Sequence, residues 1–375
     1  MTSRPPAPDP ITVARPDLPP LEEFLPLLQE IWHSHRLTNN GPFHARFEQA
    51  LAQYLGVPQV SLFANATLGL LVAQQALGLQ GEVITTPFSF VATAHSLLWN
   101  QLRPVFVDID PVSLGLDPQC IEAAITPATS AILPVHVYGT PCDTRRIGEL
   151  ARQRGLKLLY DAAHAFGVDD GGGSLLRHGD ASVVSFHATK VFNTFEGGAV
   201  VCHDAQLKQQ IDRLKNFGFV NEVSVVASGI NAKMNEFQAA LGLLQLQHID
   251  ASLARRAAVA ERYRHRLNGL PGLRCLPPPA AVKRHNHGYF PVLVGEAFRV
   301  DRDALYEHLK RHGVLARRYF FPLITEFPMY REYAPQSAER LPVAHAIARQ
   351  ILCLPIYADL PLDQVDRIVE LIGTA

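Results

Sequence analysis

Apolar residues recur at helical spacing over residues 21–36, where Leu21, Phe24, Leu25, Leu28, Ile31 and Trp32 share one face. The run stops before the polar turn Thr38-Asn39-Asn40-Gly41-Pro42. A second helical stretch, 43–55, closes at Gly56. From there short apolar runs alternate with helical ones. Segments 60–63, 83–85, 104–107, 131–135 and 157–160 read as strands, and 68–77, 92–99, 121–125 and 147–154 as the helices between them. Short buried strands separated by helices predict an α/β fold with a mostly parallel sheet covered on both faces.

Strands at 183–186, 198–202 and near 223–226 continue the pattern, which then changes to long helices, one running from Glu236 to about Leu267. The stretch PGLRCLPPPAA (271–281) reads as a Pro-rich domain break. Beyond it a strand at 289–294 and helices at 302–311, 342–350 and 362–372 predict a smaller α+β unit. The expected organisation is an extended arm at 1–20, a large α/β domain at 21–250, and a long helix with a small C-terminal α+β domain at 251–375. Seven of the 28 prolines lie in the first twenty positions, and the first ten residues are expected to be disordered.

Composition narrows the function classes. With 34 basic and 35 acidic residues the chain has a net charge of −1, so it lacks the basic footprint of nucleic-acid binding or of attachment to anionic membranes. No apolar run has the ~18 residues of a membrane span, and the start has no secretory h-region. Five scattered cysteines without a CxxC pair argue against a disulfide framework and against a metal site. The expectation is a cytoplasmic enzyme.

Candidate chemistry concentrates in YDAAHAFG (160–167) and SFHATKVFNTFEGGAVV (185–201). Asp161 ends an apolar strand, and strand ends of parallel sheets face the ligand crevice. Lys190 lies just past another strand end among Ala188, Val191 and Phe192. Such surroundings lower an amine's pKa and make it nucleophilic towards a carbonyl. An Asp and a Lys brought together read either as a partly buried salt bridge or as the two ends of a pyridoxal phosphate site.

The words DAAHAxG, SFHATK, EGGA and NAKMNEFQAAL, with TNNGP before them and LCLPIY (352–357) after, resemble the sugar aminotransferases of the DegT/DnrJ/StrS type. The resemblance runs from about Ile11 to the C-terminus. It implies the PLP-dependent, aspartate-aminotransferase-like fold (fold type I), with pyridoxal 5'-phosphate as cofactor and pyridoxamine 5'-phosphate as intermediate. Lys190 matches the lysine that holds the cofactor as a Schiff base, and Asp161 the carboxylate that keeps the pyridine nitrogen protonated. His164 matches a position near the phenolic oxygen, and Phe90 an aromatic covering the ring face. Thr67, the Leu68 amide and Ser185 match phosphate contacts. Asn231 matches an asparagine reaching that phosphate from the neighbouring subunit of a homodimer.

For the substrate, EVITTPFSFVATAHSLLWN (82–100) and SFHATKVFNTFEGG (185–198) look like 4-aminotransferases that convert dTDP-4-keto-6-deoxy-D-glucose to dTDP-4-amino-4,6-dideoxy-D-glucose with L-glutamate as donor and 2-oxoglutarate as by-product. Thr38, Asn40, Lys233, Arg317 and Arg318 are the candidate substrate contacts, arginine suiting bidentate phosphate or carboxylate binding. His136, His187 and His287 are polar positions without an assigned role. The alternatives are a 3-keto sugar or a UDP- or GDP-linked 4-keto sugar as substrate, and, from another class, a non-catalytic regulatory relative. A Rossmann oxidoreductase lacks support because no GxGxxG fingerprint is present.

Overall fold

The computed structural model describes residues 9–276, 281–334 and 337–375. Seven strands form the main sheet: β1 (Gln59–Phe63), β2 (Glu82–Thr85), β3 (Arg103–Phe106), β4 (Thr129–Leu133), β5 (Lys157–Asp161), β6 (Ala181–Ser185) and β7 (Gly198–Cys202). Their spatial order is β1-β7-β6-β5-β4-β2-β3, and only β7 runs antiparallel to its neighbours. Apolar residues on both faces of β5, β6 and β7 explain why these segments read as unbroken hydrophobic runs.

Helices cover the two faces. On one lie α1 (Leu21–Ser34), α2 (Pro42–Leu55) and the first half of α4 (Glu236–Leu267), closed over Phe47, Phe166, Phe186 and Phe192. On the other, α3 (Ala66–Ala76) packs through Leu70, Val72 and Ala73 onto Val183 and Val200. The second half of α4 leaves the large sheet. Its Val259, Ala260 and Tyr263 join the core of a three-stranded sheet of β8 (Leu273–Cys275), β9 (Phe290–Val294) and β10 (Ile351–Leu354). The expected division at 250/251 therefore falls inside one helix that serves two cores. We propose to keep it as the domain division, with α4 shared.

Three features differ from the sequence reading. Within the expected break, 273–275 is a strand, paired antiparallel with β9; residues 277–280 lie outside the described residues. The arm is tied down where it is described: Ile11–Thr12 pairs in parallel with Val314–Leu315, and the Asp17 carbonyl accepts from Asn193 and Gln245. Residues 1–8, and with them most of the segment expected to be disordered, lie outside the described residues. Glu236 is buried, its carboxylate accepting the Phe43 and His44 amides at 2.8 and 2.9 Å. It thereby caps α2, and it fills the place of a side chain at Gly41, where a Cβ would come within 2.5 Å of the carboxyl carbon.

Candidate active site

Because β1, β5 and β6 point the same way, their C-terminal ends open onto one edge of the sheet. There they border an open cleft. Gly198, the first residue of β7, sits between Phe63 and Ser185 at that edge. A Cβ on it would come within 2.7 Å of the Ala66 nitrogen, so glycine is what lets the N-terminus of α3 reach the sheet. Asn65 caps α3, its side chain accepting the Leu68 amide at 2.9 Å. The Leu68 amide, expected as a phosphate contact, is the donor that Asn65 engages in this structure. The Ala66 and Thr67 amides remain, with no acceptor within the chain among the described residues.

Asp161 lines the cleft at the end of β5 and is 5% exposed. Its Oδ2 accepts from Thr93 Oγ1 at 2.7 Å and its Oδ1 from the Ala163 amide at 3.1 Å. Ser89 extends the chain, its hydroxyl 2.9 Å from that of Thr93. Burial raises the Asp161 carboxyl above its ordinary value, against the pull of Thr93, the Ala163 amide and Lys190. Lys190 follows β6 in a turn whose amide donates to His187, and its Nζ donates to Tyr289 Oη at 3.1 Å. Burial brings the amine down to about 8, with Asp161 and Tyr319 opposing. The two charges share the cleft without forming an ion pair, so the salt-bridge reading is not what the structure contains.

His164 accepts the Tyr138 amide on Nδ1 at 3.1 Å, which leaves the hydrogen on Nε2, and its ring lies parallel to Phe320. Burial, then Lys190, holds it well below the usual imidazole range, so it is neutral. Ser185 and Thr67 line the same cleft, and Phe90 stands at its mouth with 60% exposure. Ser185, His164, Asp161, Lys190, Thr67 and Phe90 are thus brought together from segments up to 123 residues apart, as counted from Thr67 to Lys190.

The other candidates stand elsewhere. Thr38 and Asn40 lie on the exposed turn before α2, outside the cleft lining. Asn231 is exposed and accepts from Lys233 Nζ at 2.9 Å; Lys233 is itself buried over the Phe217 ring. Arg317 is exposed. Arg318 is committed to Asp303 at 2.7 Å and stacks on Tyr306. His136 is buried beneath the cleft against Tyr160, and His287 lies behind Tyr289, beside His285. His187 lines the cleft, 3.6 Å from Glu196. Sequence reasoning missed Thr93, Ser89, Tyr289, Tyr319 and Phe320. Thr93 and Ser89 lie inside the TTPFSFVAT word, but nothing in their spacing marks them. Among the described residues no cluster of side chains could hold a metal ion, and no helix is long and apolar enough to cross a membrane.

A buried carboxylate, an amine of lowered basicity and two free helix-terminal amides around one cleft suit a ligand with a basic nitrogen, a carbonyl and a phosphate. The comparison with known proteins agrees. The model of the DegT/DnrJ/EryC1/StrS aminotransferases matches residues 21–373. The chain belongs to that family. It is 52% identical over 363 residues to a dTDP-4-amino-4,6-dideoxy-D-glucose transaminase of Shigella dysenteriae, covering 97% of this chain and 98% of the relative. Among solved structures, DesI in the presence of its TDP-sugar product superposes with a TM-score of 0.93 at 39% identity, covering 98% of this chain and 93% of DesI. NtdA of Bacillus subtilis, with bound cofactor PMP, superposes with a TM-score of 0.86 at 29% identity, covering 94% and 81%. The protein is an aminotransferase with the fold type I architecture, and its cofactor is pyridoxal phosphate.

Proposed function

We propose that this enzyme moves an amino group from L-glutamate to dTDP-4-keto-6-deoxy-D-glucose, giving 2-oxoglutarate and dTDP-4-amino-4,6-dideoxy-D-glucose. The single observation that carries the chemistry is the shared cleft: Asp161, at the end of β5, and Lys190, in the turn after the adjacent β6, face one space without pairing. The sugar rests on the 52% identity to the Shigella relative and on the fit to DesI.

When bound, pyridoxal phosphate supplies an electron sink and an aldehyde carbon that carries the amine. The residues present fit it. Asp161, buried and without a cationic partner in contact, is the acceptor for a protonated ring nitrogen. Its Thr93 and Ala163 bonds hold the carboxylate still and favour its ionised form against the burial that opposes it. The Ala66 and Thr67 amides, with the Thr67 and Ser185 hydroxyls, form the phosphate cradle. His164, neutral and carrying its hydrogen on Nε2, is the donor to the phenolic oxygen, and Phe90 covers the open ring face. Lys190 is the residue that would hold the cofactor's aldehyde carbon, and its free amine would take and return the proton at the substrate carbon. A pKa near 8 leaves a useful share of that amine neutral near pH 7, which an ordinary lysine would not offer.

Asn231 serves the phosphate of a second copy in a homodimer. Its exposure, and the apolar hairpin beside it with Phe219, Val223 and Val226 bare, support that assembly. Thr38, Asn40 and Arg317 are free to meet the nucleotide sugar. Five free cysteines support a reducing, cytoplasmic setting. The test is turnover with glutamate against dTDP-, UDP- and GDP-linked 4-keto sugars and a dTDP-3-keto sugar. The dTDP-4-keto sugar is expected to be the fastest, and faster turnover of any other member replaces this substrate.

A further inference from the structure

We infer that Tyr289 is a positioning residue, its hydroxyl holding the Lys190 amine in place in both of that amine's protonation states. The inference rests on the proposed role of Lys190. The contact joins two parts of the molecule: Lys190 follows a strand of the large sheet, whereas Tyr289 directly precedes β9 of the small one, 99 residues on. Nζ donates to Oη at 3.1 Å, and this is the one hydrogen bond Nζ makes among the described residues. The opposite charge in the cleft is not in contact with it: among the described residues Asp161 makes its side-chain hydrogen bonds with Thr93 and the Ala163 amide, and none with Nζ. The amine's fixed contact is therefore a neutral hydroxyl.

A hydroxyl suits a base that must change its charge. It accepts a bond from the ammonium and, by turning about its C–O bond, donates one to the neutral amine; a carboxylate can only accept. The tyrosine keeps its own proton throughout, and only the direction of the bond reverses. Burial, then Cys353 and Asp161, pushes the phenol above its ordinary value, so it stays protonated across the working range. The ring is fixed by neighbours on three sides: His164 at 4.6 Å, Tyr138 at 5.4 Å and Tyr319 at 6.0 Å between centroids. A lysine released from the cofactor would otherwise sample many rotamers, and a fixed partner keeps it within reach of the proton it moves.

Tyr289→Phe removes Oη and keeps the ring packing. The ionisable groups that face Lys190 are Asp161, His164, His187, Glu196, Tyr289 and Tyr319. All but Tyr289 are unchanged in the variant. Full-length protein without added cofactor is pulse-labelled with trace acetic anhydride across the pH range, and the Lys190 peptide is quantified by mass spectrometry. Wild-type labelling is expected to titrate near 8. In Tyr289→Phe the ammonium loses its acceptor, so the midpoint falls by about half a pH unit or more. In the cofactor-loaded variant kcat drops about tenfold or more, while both KM values change less than about threefold.

An unmoved midpoint, with or without a loss of kcat, overturns the inference. If Tyr289→Phe melts below the assay temperature, Tyr289→Met and Tyr289→Gln give the same contrast. The amide both accepts and donates, so Gln should keep more activity than Met, and Gln no better than Met overturns the inference as well. Normal turnover by Lys190→Ala would remove the underlying reading. An inactive Lys190→Ala beside an unaffected Tyr289→Phe removes the tyrosine alone.

Discussion

Asp161, Ser185 and Lys190 converge on one cleft from neighbouring strand ends, whereas Thr38, Asn40, Asn231 and Arg317 stand on exposed segments outside it. The inner group is positioned by the main sheet, whose strand register places Asp161 beside Val183 and Ser185 beside Gly198. Each inner side chain also has a partner fixed within the chain. The outer group stands on a turn, a hairpin base and a loop, and among the described residues only Asn231 of its four side chains has a hydrogen-bond partner, Lys233. A single chain thus brings together all but one of the residues proposed to hold the cofactor, the exception being the Asn231 of a second copy. The part proposed to handle the nucleotide sugar and the neighbouring phosphate faces outward, as a dimer with shared sites requires.

That contrast breaks most readily at Asp161. Asp161→Asn keeps the shape and the Ala163 contact but removes the charge, and turnover is expected to fall about 100- to 1000-fold, measured as kcat. A loss below about threefold would show that the inner group does not work as a fixed electrostatic unit.

The outer group is tested by mixing subunits. Asn231→Ala is expected to cost some tens-fold in activity, about what a lost hydrogen bond to a charged group gives. Unfolded and refolded together with inactive Lys190→Ala, it should recover about a quarter of wild-type turnover, since random pairing gives half heterodimers, each with one intact site. No recovery above the sum of the two variants would place Asn231 in its own chain's business.

Thr93→Val sharpens the inner side. Asp161 then keeps one donor of two, burial weighs more heavily, and its carboxyl rises further. The expected loss is about tenfold in kcat/KM, growing as pH falls because the carboxylate protonates sooner. The smallest effect belongs to Arg318→Ala. The half-exposed pair with Asp303 is worth about 1 kcal/mol or less, so a small drop in Tm is expected with the KM for the sugar unchanged. A large rise in that KM would move Arg318 into the substrate site.

The parts legible in the sequence were those with local signals. Helix α4 was readable from Glu236 to Leu267 because Asn235 and Gln238 form a capping box at its start and its apolar periodicity is long. The strand ends bearing Asp161 and Ser185 stood out as apolar runs closed by a polar residue. Other elements carried no such mark. Helix Ala205–Leu214 buries only Ile211 and Leu214, too thin a stripe to read, and β10 is four residues long and runs into the LCLPIY word. The Thr93–Asp161 and Lys190–Tyr289 contacts span 68 and 99 residues, and no periodicity reports a pairing made only by the fold. The cap that Asn65 places on the Leu68 amide was likewise not read from the sequence.

The central claim is that Lys190, opposite Asp161, is the residue that binds the cofactor. Borohydride reduction of the pyridoxal-phosphate-loaded enzyme, followed by peptide mass mapping, tests it most directly. One pyridoxyl group per chain, on the peptide containing Lys190 and absent in Lys190→Ala, is the predicted result. A pyridoxyl group on Lys233 or any other lysine, or none at all in an enzyme that turns over, would contradict it.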